Sequence, residues 1–205
     1  CRMPGAHLEG PYFNMEQKGA QDPRYIVPPR KDHYMAILEK ADGLIKRWSV
    51  APELDGAMEF IKDVSSMGIV VSGGHTKADF DTIGRAVDCG MTMLTHYYSA
   101  MSSMVKKGSW KILGATEAGL YFDELTVELI SDGCHIPENL LKLIFKLKDR
   151  SKIIGISDSM RGAGFESGES ILGPKNNGTP VVIEDGVAKL MDRSCFAGSI
   201  ATGIR

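Results

Sequence analysis

The sequence predicts an α/β protein of the (β/α)8 TIM-barrel type, with about six of the eight strands contained in its 205 residues. Two observations predict this class. Short apolar runs alternate with segments of helical periodicity, as in βαβ units with a parallel sheet. Several runs also end on His, Glu or Asp, and the carboxyl ends of barrel strands are where catalytic groups lie. A complete barrel usually needs about 250 residues, so we expect an incomplete one.

The first half of the chain supplies four of the predicted strands. Each is a short apolar or β-branched run bounded by turn-forming residues. They are centred on Ala6–Glu9, Trp48–Ala51, Ile69–Val71 and Met91–Leu94. Helices are predicted from Asp32, as its cap, to about Lys40, from Leu54 to Met67, and from Lys77 to Cys89 with Thr76 as the N-cap.

The second half continues the same alternation and then changes. A helix is predicted around 112–121, a strand over 126–131, a helix after Pro137 to about Lys148, and a strand over 152–157 that is buried on both faces. Residues 161–177, rich in Gly, are expected to form a long loop. Asp185-Gly186 then predicts a type I′ turn in a small β-hairpin insertion.

Composition excludes several functional classes. A formal net charge of −2 and 24% charged residues argue against a nucleic-acid binder and give no electrostatic reason for membrane binding. No window approaches the roughly 18 apolar residues of a membrane span. The four cysteines form no CxxC pair, which favours reduced thiols in a cytoplasmic protein. The chain begins at Cys1 rather than Met, so we expect a fragment of a longer protein.

Glu9, His75 and His96 are the candidate metal ligands, because each follows a different predicted strand. Imidazole and carboxylate together suit zinc, the first choice, and also Fe, Co or Mn. Three such ligands meet if the strands wrap around one axis. The alternative is that each histidine is an ordinary core or loop residue, which would be preferred for a single histidine but not for the set.

Asp158 ends the strand over 152–157 and is the candidate general base and acid. It would take a proton from a water activated by the metal and pass it to the leaving amine. The alternative role is a helix N-cap or a turn residue before Ser159. His135 follows another strand and would bind a substrate hydroxyl or phosphate, or cap the next helix. Lys107 lies in a two-lysine run that is either solvated or able to bind a phosphate.

Taken together, these residues resemble the N-acetylglucosamine-6-phosphate deacetylase family of the amidohydrolase superfamily. The matching motifs occur in the family's order and cover nearly all of the chain. They are His-Leu-Glu-Gly-Pro (7–11), Lys-Gly-Ala (18–20), Gly-His-Thr with Ala-Asp-Phe-Asp (74–81), Thr-His to Ala-Met (95–101), Asp-Gly-Cys-His (132–135), Ser-Asp-Ser-Met (157–160) and Phe-Ala-Gly-Ser (196–199).

The resemblance implies hydrolysis of the acetamide of N-acetylglucosamine 6-phosphate to glucosamine 6-phosphate and acetate. It implies the metal role for Glu9, His75 and His96 and the acid/base role for Asp158. The implied substrate contacts are Ala20, Gln21, Ser99, Ala100, Lys107 and His135. It also implies a homodimer in which a basic residue reaches the phosphate, often across the subunit interface.

Three positions depart from the family pattern. Family members often have His where this chain has Gln21, and Asn is usual at Ser99. Arg is usual at Lys107, and lysine lacks the bidentate geometry of a guanidinium. Specificity for the 6-phosphate is therefore less strongly implied than deacetylation itself.

The resemblance also implies that residues 1–205 are one partial barrel domain. The first two barrel strands and the flanking β-sandwich parts would lie outside this sequence, and we expect the isolated piece to be inactive. Two alternatives stay open: an amidohydrolase acting on a different amide, and a barrel that binds amino-sugar phosphates without catalysis.

Overall fold

A computed structural model describes residues 3–202 of the chain. The chain divides into two compact units, Cys1–Lys18 with Pro23–Val127 and Gly19–Asp22 with Glu128–Arg205. Among the described residues, no helix is both long enough and apolar enough to cross a membrane.

The first unit contains the predicted alternation of strands and helices. Its strands are β1 (Ala6–Glu9), β2 (Ile45–Val50), β3 (Val70–Gly73), β4 (Met91–Leu94), β5 (Val105–Lys107), β6 (Trp110–Ile112) and the start of β7 (Thr126–Ile130). Its helices are α1 (Lys31–Ala41), α2 (Ala57–Ser66), α3 (Phe80–Asp88) and α4 (Ala115–Tyr121), and two single 3-10 turns lie at Met15–Gln17 and Pro23–Tyr25.

The main sheet has the order β1-β2-β3-β4-β7 and then β8 (Ile153–Ile156). The pairs β1–β2, β2–β3, β3–β4 and β4–β7 are all parallel. Apart from the small β5–β6 hairpin, each strand lies beside the next one along the chain, with a helix on each connection. This order confirms the predicted α/β class and the incomplete barrel of six strands.

An aromatic cluster forms much of the core of the first unit. Tyr12, Tyr34, Trp48 and Phe60 are almost completely buried. The Phe60 ring makes edge-to-face contacts with the other three rings at centroid distances of 5.1–5.2 Å. Burial of each large side chain contributes about 1.5–3 kcal/mol, so this cluster anchors α1 and α2 to the strands.

A row of hydroxyl groups crosses the same sheet near its carboxyl end. The Ser49 and Ser72 Oγ atoms each lie 2.6 Å from the Thr95 Oγ1 atom, and the His7 Nε2 atom lies 2.7 Å from Ser49 Oγ. Buried hydroxyls are costly without partners, and this row gives each of them one. It ties together four strands, and Thr95 immediately precedes the predicted ligand His96.

The second unit contains the rest of β7, α5 (Glu138–Leu147), β8 and an antiparallel sheet. That sheet consists of β9 (Gly168–Leu172), β10 (Thr179–Glu184), β11 (Val187–Leu190) and β12 (Phe196–Ser199) in the order β12-β11-β10-β9. Val181, Ile183, Ala188 and Ala197 form its buried face. Asp185 and Gly186 both have positive φ, 54° and 79°, as a type I′ turn requires, so the predicted hairpin is confirmed within a larger sheet.

Four local predictions are wrong. The expected loop over 161–177 contains β9, because Gly168–Leu172 pairs with β10 despite its glycines. Ile154 of β8 is 39% exposed, since β8 is last in the strand order and has a sheet neighbour on one side only. The N-cap of α1 is Arg30 rather than Asp32. The N-cap of α3 is Asp79 rather than Thr76, because the Asp79 side chain accepts the Thr82 N–H.

Candidate metal centre

The three predicted metal ligands converge in the first unit. The Glu9 Oε1 atom lies 2.9 Å from His75 Nε2 and 3.0 Å from His96 Nε2. The two Nε2 atoms are 3.1 Å apart. Both histidines are buried, at 5% and 4% exposure, while Glu9 is partly exposed. The three side chains therefore direct three donor atoms to one point that solvent reaches from the side of Glu9.

The ends of three strands place these side chains. Glu9 is the last residue of β1, and His75 and His96 each lie two residues beyond β3 and β4. Both histidines have left-handed backbone conformations, with φ of 49° and 32°, which cost about 1–3 kcal/mol for non-glycine residues. Neighbouring hydrogen bonds hold these turns: Gly74 N donates to Val50 O, and Thr95 N donates to Gly73 O.

A backbone carbonyl fixes the orientation of His75. Its Nδ1 atom lies 2.8 Å from the Gln17 carbonyl oxygen. A carbonyl only accepts hydrogen bonds, so the His75 Nδ1–H donates to it, and this bond directs Nε2 toward Glu9 and His96. The Phe13 ring packs on the imidazole at a centroid distance of 4.2 Å. This is the arrangement that metal-binding histidines use, with the second nitrogen bonded to an outer carbonyl.

The electrostatics of Glu9 favour its ionised form. Burial alone would raise the pKa of this carboxyl group, but the hydrogen bonds and charges of His75 and His96 outweigh burial and hold the pKa well below its ordinary value. A carboxylate and two imidazole nitrogens therefore meet in a largely buried place.

The donor set fits a divalent transition metal. Ligand atoms bound at about 2.0–2.2 Å in tetrahedral geometry lie about 3.3 Å from one another, close to the 2.9–3.1 Å separations found here. Two imidazoles and one carboxylate suit zinc, and also Fe, Co or Mn. Among residues 3–202, this is the group of His, Cys, Asp and Glu side chains whose geometry is compatible with holding a metal ion. Three protein ligands leave a position for water or substrate.

The predicted substrate residues of the first unit lie in two places. Ala100 O accepts the N–H of Thr76, and Ser99 N donates to His96 O, so both residues are one hydrogen bond from the metal-ligand turns. Lys107 is exposed on β5 and pairs in register with Trp110 of β6.

Asp158 lies in the second unit, just after β8. Its φ is 49°, and its carbonyl accepts the Ser199 N–H at 2.8 Å. Met160 N in turn donates to Ser199 O at 2.9 Å. The backbone of Asp158 is therefore held in a left-handed turn by β12, and its role stays a prediction. Ala20 and Gln21 are also in this unit, where Ala20 packs against the face of the antiparallel sheet.

His135 forms a close pair with Asp132 in the second unit. Its Nδ1 atom lies 2.6 Å from Asp132 Oδ2, and both side chains are nearly inaccessible. Asp132 Oδ1 accepts the backbone N–H groups of Cys134 and His135 at 2.8 and 3.0 Å. Burial would raise the pKa of Asp132, but these backbone hydrogen bonds and the charge and side chain of His135 lower it overall. The His135 ring also contacts Phe196 at a centroid distance of 4.9 Å.

Three positions support these side chains, and no role for them was predicted from the sequence. Asp132 was detectable, because an Asp three residues before a His in a glycine-containing turn is an Asx-turn signal. The Gln17 contact was not, since a backbone carbonyl leaves no mark in residue identity. Glu53, which contacts the segments on both sides of His75, lies after β2 and carries no spacing signal.

Comparison with known proteins gives a consistent result. No protein-family model matches the chain. A curated relative, the N-acetylglucosamine-6-phosphate deacetylase of Bacillus subtilis, is 36% identical over 96% of this chain and 47% of its own length. The chain thus spans about half the length of the curated relatives it matches.

Two solved structures share the fold. The N-acetyl-D-glucosamine-6-phosphate deacetylase of Mycobacterium smegmatis, an aspartate-to-alanine mutant in complex with N-acetyl-D-glucosamine-6-phosphate, matches with a TM-score of 0.89 and 30% identity over 97% of this chain and 50% of that one. The Thermotoga maritima deacetylase matches with a TM-score of 0.84 and 33% identity over 96% of this chain and 50% of that one. The resemblance predicted from the motifs is confirmed.

Proposed function

We propose that this chain is the metal-binding barrel portion of an enzyme that hydrolyses the acetamide of N-acetylglucosamine 6-phosphate. Its curated relatives and structural neighbours are N-acetylglucosamine-6-phosphate deacetylases. The products would be glucosamine 6-phosphate and acetate, in amino-sugar metabolism. The observation that carries the proposal is the convergence of Glu9, His75 and His96 within 3.1 Å of one another.

Glu9, His75 and His96 would hold one divalent metal ion, with zinc as the first choice. A metal in such a site activates water and polarises a carbonyl oxygen. Neighbouring residues hold the ligand His75 in place. The Gln17 carbonyl keeps the His75 proton on Nδ1, and Phe13 fixes the ring plane.

Asp158 is proposed as the proton carrier. Its carboxylate would take a proton from the attacking water as the water oxygen bonds to the acetyl carbon. It would then donate that proton to the sugar nitrogen as the carbon–nitrogen bond breaks. Support comes from the Ser-Asp-Ser-Met motif and from its place just after the parallel strand β8, since barrel enzymes carry catalytic groups at strand ends.

Ala20, Gln21, Ser99, Ala100, Lys107 and His135 are proposed as substrate contacts. Ser99 and Ala100 adjoin the metal-ligand turns through backbone hydrogen bonds. The β5–β6 hairpin pairs Lys106 with Lys111 and Lys107 with Trp110, and three lysines there give a positive charge that suits a sugar phosphate. A homodimer that brings such a lysine to the substrate, and a cytoplasmic location, stay predictions.

Acetate release tests the proposal. The complete protein would be assayed on N-acetylglucosamine with and without the 6-phosphate, after chelation and again after zinc is restored. We expect release from the phosphorylated sugar that is lost on chelation and recovered with metal. Release from both sugars would keep the chemistry and contradict phosphate specificity. No release from either sugar by metal-loaded, folded protein would contradict the proposed function and favour a different amide or a binding role.

A further inference from the structure

Glu53 carries three hydrogen bonds from two separate segments of the first unit. Its Oε1 atom accepts from Asn14 Nδ2 at 3.0 Å and from the Lys77 backbone N–H at 2.6 Å. Its Oε2 atom accepts from the Thr76 hydroxyl at 2.5 Å. Hydrogen bonds to an ionised carboxylate are about twice as strong as those between neutral groups. This one side chain therefore joins the segment around Asn14 to the turn at Thr76.

Those two segments are the ones that hold His75. Asn14 N donates to the His75 carbonyl at 3.0 Å, and three residues later the Gln17 carbonyl accepts the His75 Nδ1 proton at 2.8 Å. Thr76 and Lys77 follow His75 directly in the chain. Glu53 thus fixes the distance between the residue that orients the ring and the backbone that carries it.

The backbone conformation of His75 requires support from its surroundings. Its φ of 49° lies in the left-handed region, which is uncommon and costly for residues other than glycine. Thr76 is completely buried, and its hydroxyl also accepts the Ala78 N–H at 2.9 Å. Without the Glu53 carboxylate, this hydroxyl and the Lys77 N–H would lose their acceptor, and the turn could relax toward ordinary φ.

We propose that Glu53 is a positioning residue of the metal centre, which holds His75 in its ligand orientation by bridging the segments on its two sides. This inference rests on the proposed metal site, because Glu53 acts on the ion only through His75. Outer partners of metal ligands typically change metal affinity by about 10- to 100-fold when they are removed.

Metal affinity of the complete protein, measured by competition with a chromophoric zinc chelator, tests the inference. We expect Glu53→Ala to weaken zinc binding by about 10- to 100-fold. Glu53→Gln keeps the shape but loses the charge, so it should weaken binding less. Glu59→Gln is the matched control: Glu59 lies in the same unit and forms an exposed ion pair with Lys31 at 3.3 Å, so zinc affinity should be unchanged.

A second measurement, the melting temperature with and without zinc, separates a positioning role from a general effect on stability. If Glu53 positions His75, the rise in melting temperature that zinc gives should be smaller in both Glu53 variants, because ligand stabilisation follows the dissociation constant. A merely structural role would lower the melting temperatures with and without zinc by the same amount. The Co²⁺-loaded protein should also show a shifted visible spectrum in Glu53→Ala.

Wild-type zinc affinity in folded Glu53→Ala would overturn the inference, and if that variant does not fold, wild-type affinity in Glu53→Gln would do so. Failure of the unmodified protein to bind zinc would instead overturn the proposed function, so the two failures are distinguishable.

Discussion

Each unit of the molecule contains a buried histidine–carboxylate group, and the two groups differ in their hydrogen-bonding partners. In the first unit Glu9 meets His75 and His96, which lie 66 and 87 residues away in the chain. In the second unit Asp132 meets His135, three residues away. In both groups the carboxylate lies at the end of a strand or just after it.

The two groups differ in the partners of their ring nitrogens and carboxylate oxygens. His75 donates its Nδ1–H to the Gln17 carbonyl, and this bond directs its Nε2 atom toward Glu9. His135 faces Asp132 through Nδ1, and the other Asp132 oxygen is occupied by two N–H groups of its own turn. The first group directs a carboxylate oxygen and two ring nitrogens to one point. In the second group both oxygens of the carboxylate have their partners within one turn of the chain.

The largest expected effect is the loss of metal when the first group is broken. His75→Ala removes one of three protein ligands, so zinc should bind more than about 100-fold more weakly, beyond the effect of changing an outer partner. Asp132→Asn should bind as much zinc per protein chain as the wild-type protein does. Elemental analysis after dialysis measures this ratio. Equal loss of zinc in both variants would contradict the distinction between the groups.

A smaller effect is expected when the second group is broken. Asp132→Asn places an amide where Oδ2 accepts from His135, which leaves buried donors without an acceptor at a cost of about 1–3 kcal/mol. Urea unfolding measures this change in the free energy of unfolding. Asp123→Asn, at an exposed position, is the matched control and should change it by less than about 0.5 kcal/mol. An Asp132 variant as stable as the control would contradict a structural role for the pair.

The smallest effect is a pH dependence that belongs to Asp132. Hydrogen bonds from the His135 and Cys134 backbone outweigh burial and lower the pKa of its carboxyl group in the folded protein. The unfolded chain, with a pKa of about 3.9, therefore takes up its proton first as pH falls. The stabilisation by this group is present above about pH 4 and is lost as pH falls through the folded pKa.

Urea midpoints between pH 3 and pH 6 measure this dependence. The stability difference between the wild-type protein and Asp132→Asn should shrink below about pH 4. A constant difference across that range would contradict the assignment.

The sequence predicted the parallel strands and the convergence of Glu9, His75 and His96, because apolar runs and the residues at their ends are local signals. It also predicted the Asp185-Gly186 turn, whose φ values only such residues adopt readily. It did not predict β9, since the pairing of Gly168–Leu172 depends on a partner strand. Nor did it predict Glu53 or the Gln17 carbonyl, whose contacts exist only after distant segments meet.

The most direct test of the central claim is anomalous X-ray diffraction at the zinc absorption edge from crystals of the complete, zinc-loaded protein. The account predicts an anomalous peak about 2.0–2.2 Å from Glu9 Oε1 and from the Nε2 atoms of His75 and His96. A zinc-dependent, active protein whose peak lies on other residues, or that has no peak at these three atoms, would contradict it.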